Sequence, residues 1–244
     1  MSILNGKVAV VTGGGSGVGK AVARLFLTHG ANVVIAGRDG AKLQAVADEF
    51  AAGDALMTVP TDVTQPSECQ TLIDAAANRF GRVDILVNNA GTNIKTRTFR
   101  ELTPDAWDKM IRANLDGAFY CTKAALPGMF ERQDGVIVNV VSVAGKRANP
   151  LGGAAYVAAK FGMGALGLVL ANEEKDSGVR VSNIYPGEID TPILSERPKP
   201  VTDEQRAVIL KPEDVASAVL FVATLPKHVS VPELVIKPTV QPYF

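Results

Sequence analysis

Short runs rich in Val and Ile alternate with segments of helical periodicity, and this alternation constrains the fold more than any other feature. Each run spans five to seven residues and is apolar at most positions, which is typical of strands buried on both faces of a parallel sheet. The runs are Lys7–Thr12, Asn32–Ala36, Ala55–Pro60, Val83–Asn88, Gly135–Val141, Val179–Tyr185 and Glu233–Lys237. The pattern predicts an α/β fold, a doubly wound parallel sheet with helices on both faces in three layers.

The helical segments lie between these runs. The predicted helices are Gly17–Gly30, Ala41–Phe50, Pro66–Phe80, Pro104–Phe130, Ala154–Lys175 and Pro212–Thr224. Pro127 and Gly128 are expected to kink or end the fourth helix. No shift in composition divides the chain, so we expect a single domain over residues 1–244, in which the proline- and charge-rich residues 188–211 form a lid over a substrate site.

Charge balance and cysteine content argue against several classes of protein. The chain has 25 basic and 25 acidic side chains, whereas a non-specific nucleic-acid binder carries a basic excess. No uninterrupted apolar run is long enough for a membrane helix, and the first residues lack the pattern of a secretory signal. Cys69 and Cys121 are predicted to be buried thiols rather than a disulfide. The two histidines are isolated, so no metal site is predicted. We expect a cytoplasmic protein.

A glycine-rich loop, Thr12–Gly19, joins the first strand to the first helix. Its spacing is G-x-x-x-G-x-G through Gly13, Gly17 and Gly19. Glycines here allow close approach of a pyrophosphate, which the N–H groups at the helix N-terminus then bind. A flexible turn without a ligand is the alternative, and the strand–loop–helix context favours the dinucleotide site.

The end of the second strand indicates which dinucleotide is bound. An acidic side chain there would bond the ribose 2′-hydroxyl of NAD, but Gly37 and Arg38 occupy the place. An arginine suits the 2′-phosphate of NADP. Asp39 is expected to cap the following helix instead. The alternative for Arg38 is a solvated loop side chain.

Tyr156 and Lys160 open the long helix after the fifth strand. A spacing of four residues places the phenol and the ammonium on one helix face. A nearby ammonium and a cationic nicotinamide ring both favour phenolate, so we expect a lowered tyrosine pKa and an acid–base role. Ser142 follows the preceding strand at the same sheet edge and could hold a substrate oxygen.

These features occur together in the order typical of one family. The residues that carry the resemblance are Thr12–Gly19, Asp62, Val63, Asn88, Asn89, Ala90, Gly91, Asn114, Ser142, Tyr156, Lys160, Pro186, Gly187 and Thr191. On these residues the chain resembles the single-domain short-chain dehydrogenases/reductases over about residues 5–225. The resemblance implies a Rossmann-like fold and hydride transfer between a nicotinamide cofactor and a carbonyl or secondary alcohol.

The resemblance also implies a role for each matching residue. It implies that Tyr156 is the acid–base group, that Ser142 orients the substrate oxygen and that Lys160 binds the nicotinamide ribose. Asn114 would anchor a water that links Lys160 to solvent. The cofactor-binding residues would be Gly13, Ser16, Gly17, Val18, Gly19, Arg38, Asp62, Val63, Asn89, Ala90, Gly91, Tyr156, Lys160, Pro186, Gly187, Ile189 and Thr191.

The chain departs from the family pattern in three places. The gap between Ser142 and Tyr156 is one residue longer than usual, so residues 146–153 must absorb it. Ser16 stands where NADP-preferring members often have a basic residue. The C-terminal segment 235–244 lacks the usual Asp-Gly-Gly and is similar to that of some reductases, including NADP-dependent 3-hydroxy acid dehydrogenases.

Four cations follow the fourth and fifth strands: Lys95, Arg97, Lys146 and Arg147. They could form a positively charged entrance to the site for an acidic substrate. Solvated loop side chains are the alternative, and the sequence favours it.

The leading hypothesis is an NADP(H)-dependent oxidoreductase that acts on a small carbonyl or alcohol, such as a 3-oxo or 3-hydroxy acid derivative. An NAD-dependent dehydrogenase and a non-catalytic nucleotide-binding sensor are the alternatives. We expect a homodimer or homotetramer that uses the long helices around Gly162, Gly164, Ala165 and Gly167, with no nucleic-acid or membrane partner. These glycines could instead pack within the subunit.

Overall fold

The short apolar runs form one parallel sheet. A computed structural model gives the fold of residues 2–242. Met1, Tyr243 and Phe244, at the ends of the predicted domain, lie outside the described residues. The strands are β1 (Val8–Thr12), β2 (Asn32–Gly37), β3 (Leu56–Pro60), β4 (Ile85–Asn88), β5 (Gly135–Val140), β6 (Val179–Pro186) and β7 (Glu233–Ile236).

The strand order is β3-β2-β1-β4-β5-β6-β7, and every neighbouring pair is parallel. The order reverses between β1 and β4. In a doubly wound sheet the loops on either side of such a reversal diverge and leave a crevice at the carboxyl ends of the strands. The predicted fold class is therefore confirmed, and the topology places a site beyond β1 and β4.

Helices cover both faces of the sheet. They are α1 (Gly17–Thr28), α2 (Gly40–Phe50), α3 (Pro66–Phe80), α4 (Pro104–Ile111), α5 (Gly117–Arg132), α6 (Ala154–Glu173), α7 (Asp203–Val208) and α8 (Pro212–Ala223). One apolar core joins the sheet to α1, α2 and α8, and a second joins it to α3 and α5. This gives the three predicted layers.

The predicted helix Pro104–Phe130 differs from the structure in two ways. It is interrupted by a π turn at Arg112–Asp116, and it continues past Pro127 to Arg132. Proline lacks the N–H that would bond the carbonyl four residues earlier. Pro127 and Lys123 are both exposed, so water can bond the freed carbonyl and the helix continues.

Residues 188–211 contain local structure. They hold a 3₁₀ helix, Pro192–Glu196, and the short helix α7. A parallel bridge pairs Ile189 with Leu210, so the two ends of the segment lie side by side. Near these two ends, Asp190 forms ion pairs with Arg206 and Lys211.

The two cysteines lie in the interior. Cys69 on α3 and Cys121 on α5 are buried free thiols, as predicted, with their sulfur atoms 3.4 Å apart.

Helix α6 is the one described helix whose length and composition would also allow a membrane span, a property that apolar core helices share. Lys160 interrupts the apolar sequence of α6, so no continuous apolar run of membrane-spanning length marks this helix in the sequence. The contacts of Gly164 with Tyr185 and of Gly167 with Asn183 mark it as a core helix.

Candidate active site

A cavity of about 470 Å³ lies beyond the carboxyl ends of the central strands. Its wall includes the loops after β1, β4, β5 and β6 and the segment 188–211. Most of the predicted site residues line it, namely Gly13, Ser16, Gly17, Val18, Asn89, Ala90, Gly91, Asn114, Ser142, Tyr156, Lys160, Pro186, Gly187, Ile189 and Thr191. The fold therefore gathers residues from distant parts of the chain into one site.

The glycine loop is packed so closely at Gly13 and Gly19 that side chains do not fit there. Gly13 has a φ of +67°, in the left-handed region, and a Cβ there would lie 2.8 Å from Asn89 Nδ2. A Cβ on Gly19 would lie 2.4 Å from the Gly13 carbonyl oxygen. Thr12 ties the loop to the end of β4, since its hydroxyl accepts hydrogen bonds from the N–H groups of Asn89 and Ala90, each at 3.0 Å.

Four predicted cofactor residues do not line the cavity. Gly19 lies behind the loop against Gly13, and Val63 is buried against Gly117. Asp62 accepts a hydrogen bond at 3.0 Å from the N–H of Thr64. Arg38 is exposed at the end of β2, on the same sheet edge as the glycine loop. Asp39 caps α2, as expected, by accepting from the N–H of Lys42 at 3.1 Å.

Ser142 and Tyr156 meet inside the cavity. Both side chains line it and Ser142 lowers the pKa of the Tyr156 phenol, so the loop 146–153 absorbs its extra residue without separating them. The loop does so with turns in which Gly152 and Gly153 donate to the carbonyls of Asn149 and Pro150. The Ser142 hydroxyl also accepts from the N–H of Ala144 at 3.1 Å, which fixes its orientation.

The pKa of Tyr156 is raised, which is the opposite of the sequence-based expectation. Burial is the largest cause, and the hydrogen bond from Ser142 and the charge of Arg97 act against it. The Lys160 ammonium lies 5.8 Å from the centroid of the tyrosine ring. That ammonium donates instead to the Val140 carbonyl at 3.0 Å. The phenol is therefore protonated at neutral pH.

Lys160 itself is buried without an acidic partner among the described residues. Burial lowers its pKa to about 8, because an ammonium is less stable away from water. The Met163 sulfur lies 3.6 Å from its Nζ atom.

Asn114 sits in the π turn between α4 and α5. Its amide donates to the carbonyls of Thr92 and Met110 and accepts from the N–H of Thr92. A Cβ on Gly91 would lie 2.8 Å from the Asn114 side-chain oxygen and 3.7 Å from Lys160 Nζ. Asn114 and Lys160 therefore flank the same glycine.

One buried residue of the cavity differs from the expectation for its sequence segment. The sequence favours a solvated loop cation at Arg97, yet its side chain lies in the cavity wall and is only 7% exposed. Lys95 is exposed, and Lys146 forms an ion pair with Glu233 at 2.7 Å. No local pattern marks Arg97, because the segments that bury it lie more than fifty positions away in the chain.

Comparison with known proteins decides the family. The model of the family described as short chain dehydrogenase matches residues 7–201. The chain belongs to the short-chain dehydrogenase family. It is thus an oxidoreductase, and the similar proteins are named accordingly.

This short-chain dehydrogenase is 40% identical over 238 residues to an uncharacterized oxidoreductase of Staphylococcus aureus (strain MRSA252), an alignment that covers 98% of this chain and all of the relative. Its fold is similar to the closed form of serine dehydrogenase complexed with NADP+, with a TM-score of 0.89, 33% identity and coverage of 97% and 96% of the two chains. It is also similar to 3-ketoacyl-(acyl-carrier-protein) reductase from Brucella melitensis complexed with NADH, with a TM-score of 0.88, 33% identity and coverage of 96% and 98%.

Proposed function

We propose that this short-chain dehydrogenase transfers a hydride between NADP(H) and a small carbonyl or secondary alcohol, with Tyr156 as the acid–base group. The observation that carries the proposal is that Ser142 and Tyr156 line one cavity with the buried Lys160, which follows Tyr156 by one helical turn. These three side chains share their cavity with the glycine loop. A proton-transfer group and a nucleotide cradle in one cavity are what hydride transfer to a carbonyl requires.

The glycine loop fits a dinucleotide. A side chain at Gly13 would collide with Asn89 and Ala90, one at Gly17 would press against Thr191, and both glycines have positive φ. Ser16 is exposed at the start of α1 and makes no capping bond with its side chain, so the first N–H groups of the helix are available to a pyrophosphate. Lys160 would hold the nicotinamide ribose. When bound, the cofactor supplies or accepts the hydride.

Tyr156 moves the proton. In the reductive direction its phenol donates to the carbonyl oxygen, to which the Ser142 hydroxyl also donates. The raised pKa keeps the phenol protonated before the reaction. The Ser142 bond and the positive charge of Arg97 then stabilise the phenolate that remains.

Arg38 favours NADP(H) over NAD(H). Within residues 2–242 the guanidinium has no acidic partner, and Gly37 places no carboxylate beside it. The structurally similar serine dehydrogenase is complexed with NADP+, which supports this preference. The Brucella reductase is described with NADH, so NAD(H) is the second candidate.

The ratio of kcat/KM for NADPH and NADH, measured with one substrate, tests this preference. Charge-assisted hydrogen bonds to a 2′-phosphate predict a ratio of about 10 to 30. The double variant Gly37→Asp/Arg38→Leu should reverse the preference, because the new carboxylate repels the phosphate. Arg38→Lys should keep part of it, and added salt should weaken it. A wild-type ratio of one or less would assign the enzyme to NAD(H).

Three broader expectations stay proposals. Residues 188–211 act as the lid, because Ile189, Thr191 and Leu194 reach the cavity and Thr191 packs on Gly17. The chain forms a homodimer through the outer faces of α5 and α6, with a tetramer as the alternative, and acts in the cytoplasm.

A further inference from the structure

Arg97 is a cation held in the cavity wall by backbone groups. Its Nε donates to the carbonyl of Ile94 at 2.7 Å, and one terminal nitrogen donates to the carbonyl of Leu151 at 2.9 Å. The other terminal nitrogen donates to the carbonyl of Glu196. These acceptors lie in three separate segments, so the guanidinium is fixed where the loops after β4, β5 and β6 meet.

No carboxylate of the described residues forms an ion pair with this charge. Among residues 2–242, Arg97 has no ion pair, whereas the neighbouring Arg197 is paired with Glu188 at 3.3 Å. Burial lowers the pKa of Arg97, and Arg197 lowers it further, while Glu196 opposes them from beyond ion-pair distance. Buried charges in proteins are normally paired, because removing a charge from water is unfavourable. An unpaired buried cation in a substrate cavity is therefore suited to an anion from outside the chain.

Arg97 also has N–H groups for which the described part of the chain gives no acceptor. A guanidinium carries five N–H groups in a planar fork. The described part of the chain provides acceptors for Nε and for one N–H on each terminal nitrogen. One N–H on each terminal nitrogen is left over, and the residue lines the cavity. One N–H from each terminal nitrogen of a guanidinium can bind the two oxygens of a carboxylate.

The position of Arg97 relates this fork to the reaction. Arg97 and Tyr156 line the same cavity, and the charge of Arg97 lowers the pKa of the phenol that protonates the substrate oxygen. We propose that Arg97 binds the carboxylate of the substrate, so that the preferred substrates are short oxo and hydroxy acids. This inference rests on the proposed function and specifies its substrate class.

The test compares substrates that differ only in charge. Oxidation of 2-hydroxybutyrate, 3-hydroxybutyrate and 4-hydroxypentanoate is measured against oxidation of their methyl esters with NADP+. For at least one pair, the wild-type enzyme should prefer the acid by tenfold or more in kcat/KM. In Arg97→Met both substrates should slow, because the loops lose their shared contact, but the acid should lose at least ten times more than its ester. Arg97→Lys should retain part of the preference.

Arg100→Met is the matched control. Arg100 is exposed in the same loop, so its removal should leave the acid-to-ester ratio within about twofold of the wild type. Equal losses for acid and ester in Arg97→Met would show that Arg97 only holds the loops and would overturn the inference. A wild-type preference for every ester would overturn it even if the variant failed to fold. Turnover of neutral alcohols without any acid preference refutes the inference alone, whereas no turnover of any carbonyl or alcohol refutes the proposed function itself.

Discussion

The Lys160 ammonium is stabilised by a backbone carbonyl and a sulfur atom rather than by a carboxylate. Its pKa of about 8 lies below the ordinary value of 10.5. Below pH 8 the lysine is protonated in both the folded and the unfolded chain. Between about pH 8 and 10.5 the unfolded chain binds more protons, so this group makes the protein more stable as the pH rises.

Replacement of Lys160 should remove that pH dependence. Relative to Lys160→Met, the free energy of unfolding of the wild type should rise by about 2 kcal/mol between pH 7.5 and 9.5. Urea denaturation of both proteins at the two pH values measures it. Parallel pH profiles for the two proteins would contradict the lowered pKa.

The Tyr156 phenol has a single exchangeable proton, and Tyr156→Phe removes it while preserving the ring. We expect turnover to fall by about 10²- to 10⁴-fold, the usual loss for an acid–base group, with cofactor affinity nearly unchanged. Steady-state kinetics and a cofactor titration measure the two effects. Full turnover by the variant, with chemistry rate-limiting, would exclude the assigned role.

At the level of residues, sequence reasoning recovers what depends on local spacing. Tyr156 and Lys160 share a helix face because they are four positions apart, and Asp39 caps the helix that it precedes. The direction of the Tyr156 pKa shift was wrong because burial, which outweighs the nearby charges, depends on the complete fold. Arg97 was missed for the same reason, since residues far along the chain bury it.

At the level of elements, the glycine loop shows how close packing limits substitution. In Gly19→Ala the new Cβ would lie 2.4 Å from the Gly13 carbonyl oxygen and 2.5 Å from Asn89 Nδ2, so α1 and the loop must move apart. We expect a loss of about 1–3 kcal/mol in unfolding free energy, typical of overpacking, together with weaker cofactor binding.

Gly15→Ala is the control for this substitution. In the same loop its Cβ would meet its closest neighbours at 3.6 Å, an ordinary contact. Urea unfolding and cofactor titration should therefore separate the two variants clearly. Equal effects of the two substitutions would show that the loop requires the backbone freedom of glycine, rather than the lack of a side chain at Gly19.

The strands and most helices were predictable because their periodicity is local. Pro66–Phe80 was predicted with its observed ends, since proline begins the helix and Gly81 ends it in a left-handed conformation. The π turn at Arg112–Asp116 was not predictable. It accompanies hydrogen bonds between Asn114 and Thr92, a contact across 22 positions that no local pattern encodes.

At the scale of the whole molecule, α5 and α6 present apolar side chains to the outside. Phe119 is 45% exposed, Phe161 41% and Val169 54%. The glycines that suggested an interface pack inside instead: Gly162 contacts Leu115, and Gly167 contacts Asn183. The expectation of a dimer therefore rests on the exposed side chains of these helices.

Light scattering at micromolar concentration tests the dimer. The wild-type mass should be twice that of the chain, and Val169→Glu should shift it towards the monomer because a charge would be buried in the interface. Val208→Glu, at an equally exposed position on α7, should leave the mass unchanged. A monomeric wild type would rule out this assembly.

The pairing of Ile189 with Leu210 has a consequence for how this enzyme could evolve. Since the bridge fixes both ends of the segment, the chain between them can change length while the sheet and the Ser142–Tyr156 pair stay in place. Loop closure grows less favourable only slowly with length, by about 0.6 kcal/mol for each doubling. Segments exchanged from relatives between Glu196 and Leu210 could therefore redirect the enzyme to new substrates while Thr191 and the Glu196 carbonyl that holds Arg97 stay in place.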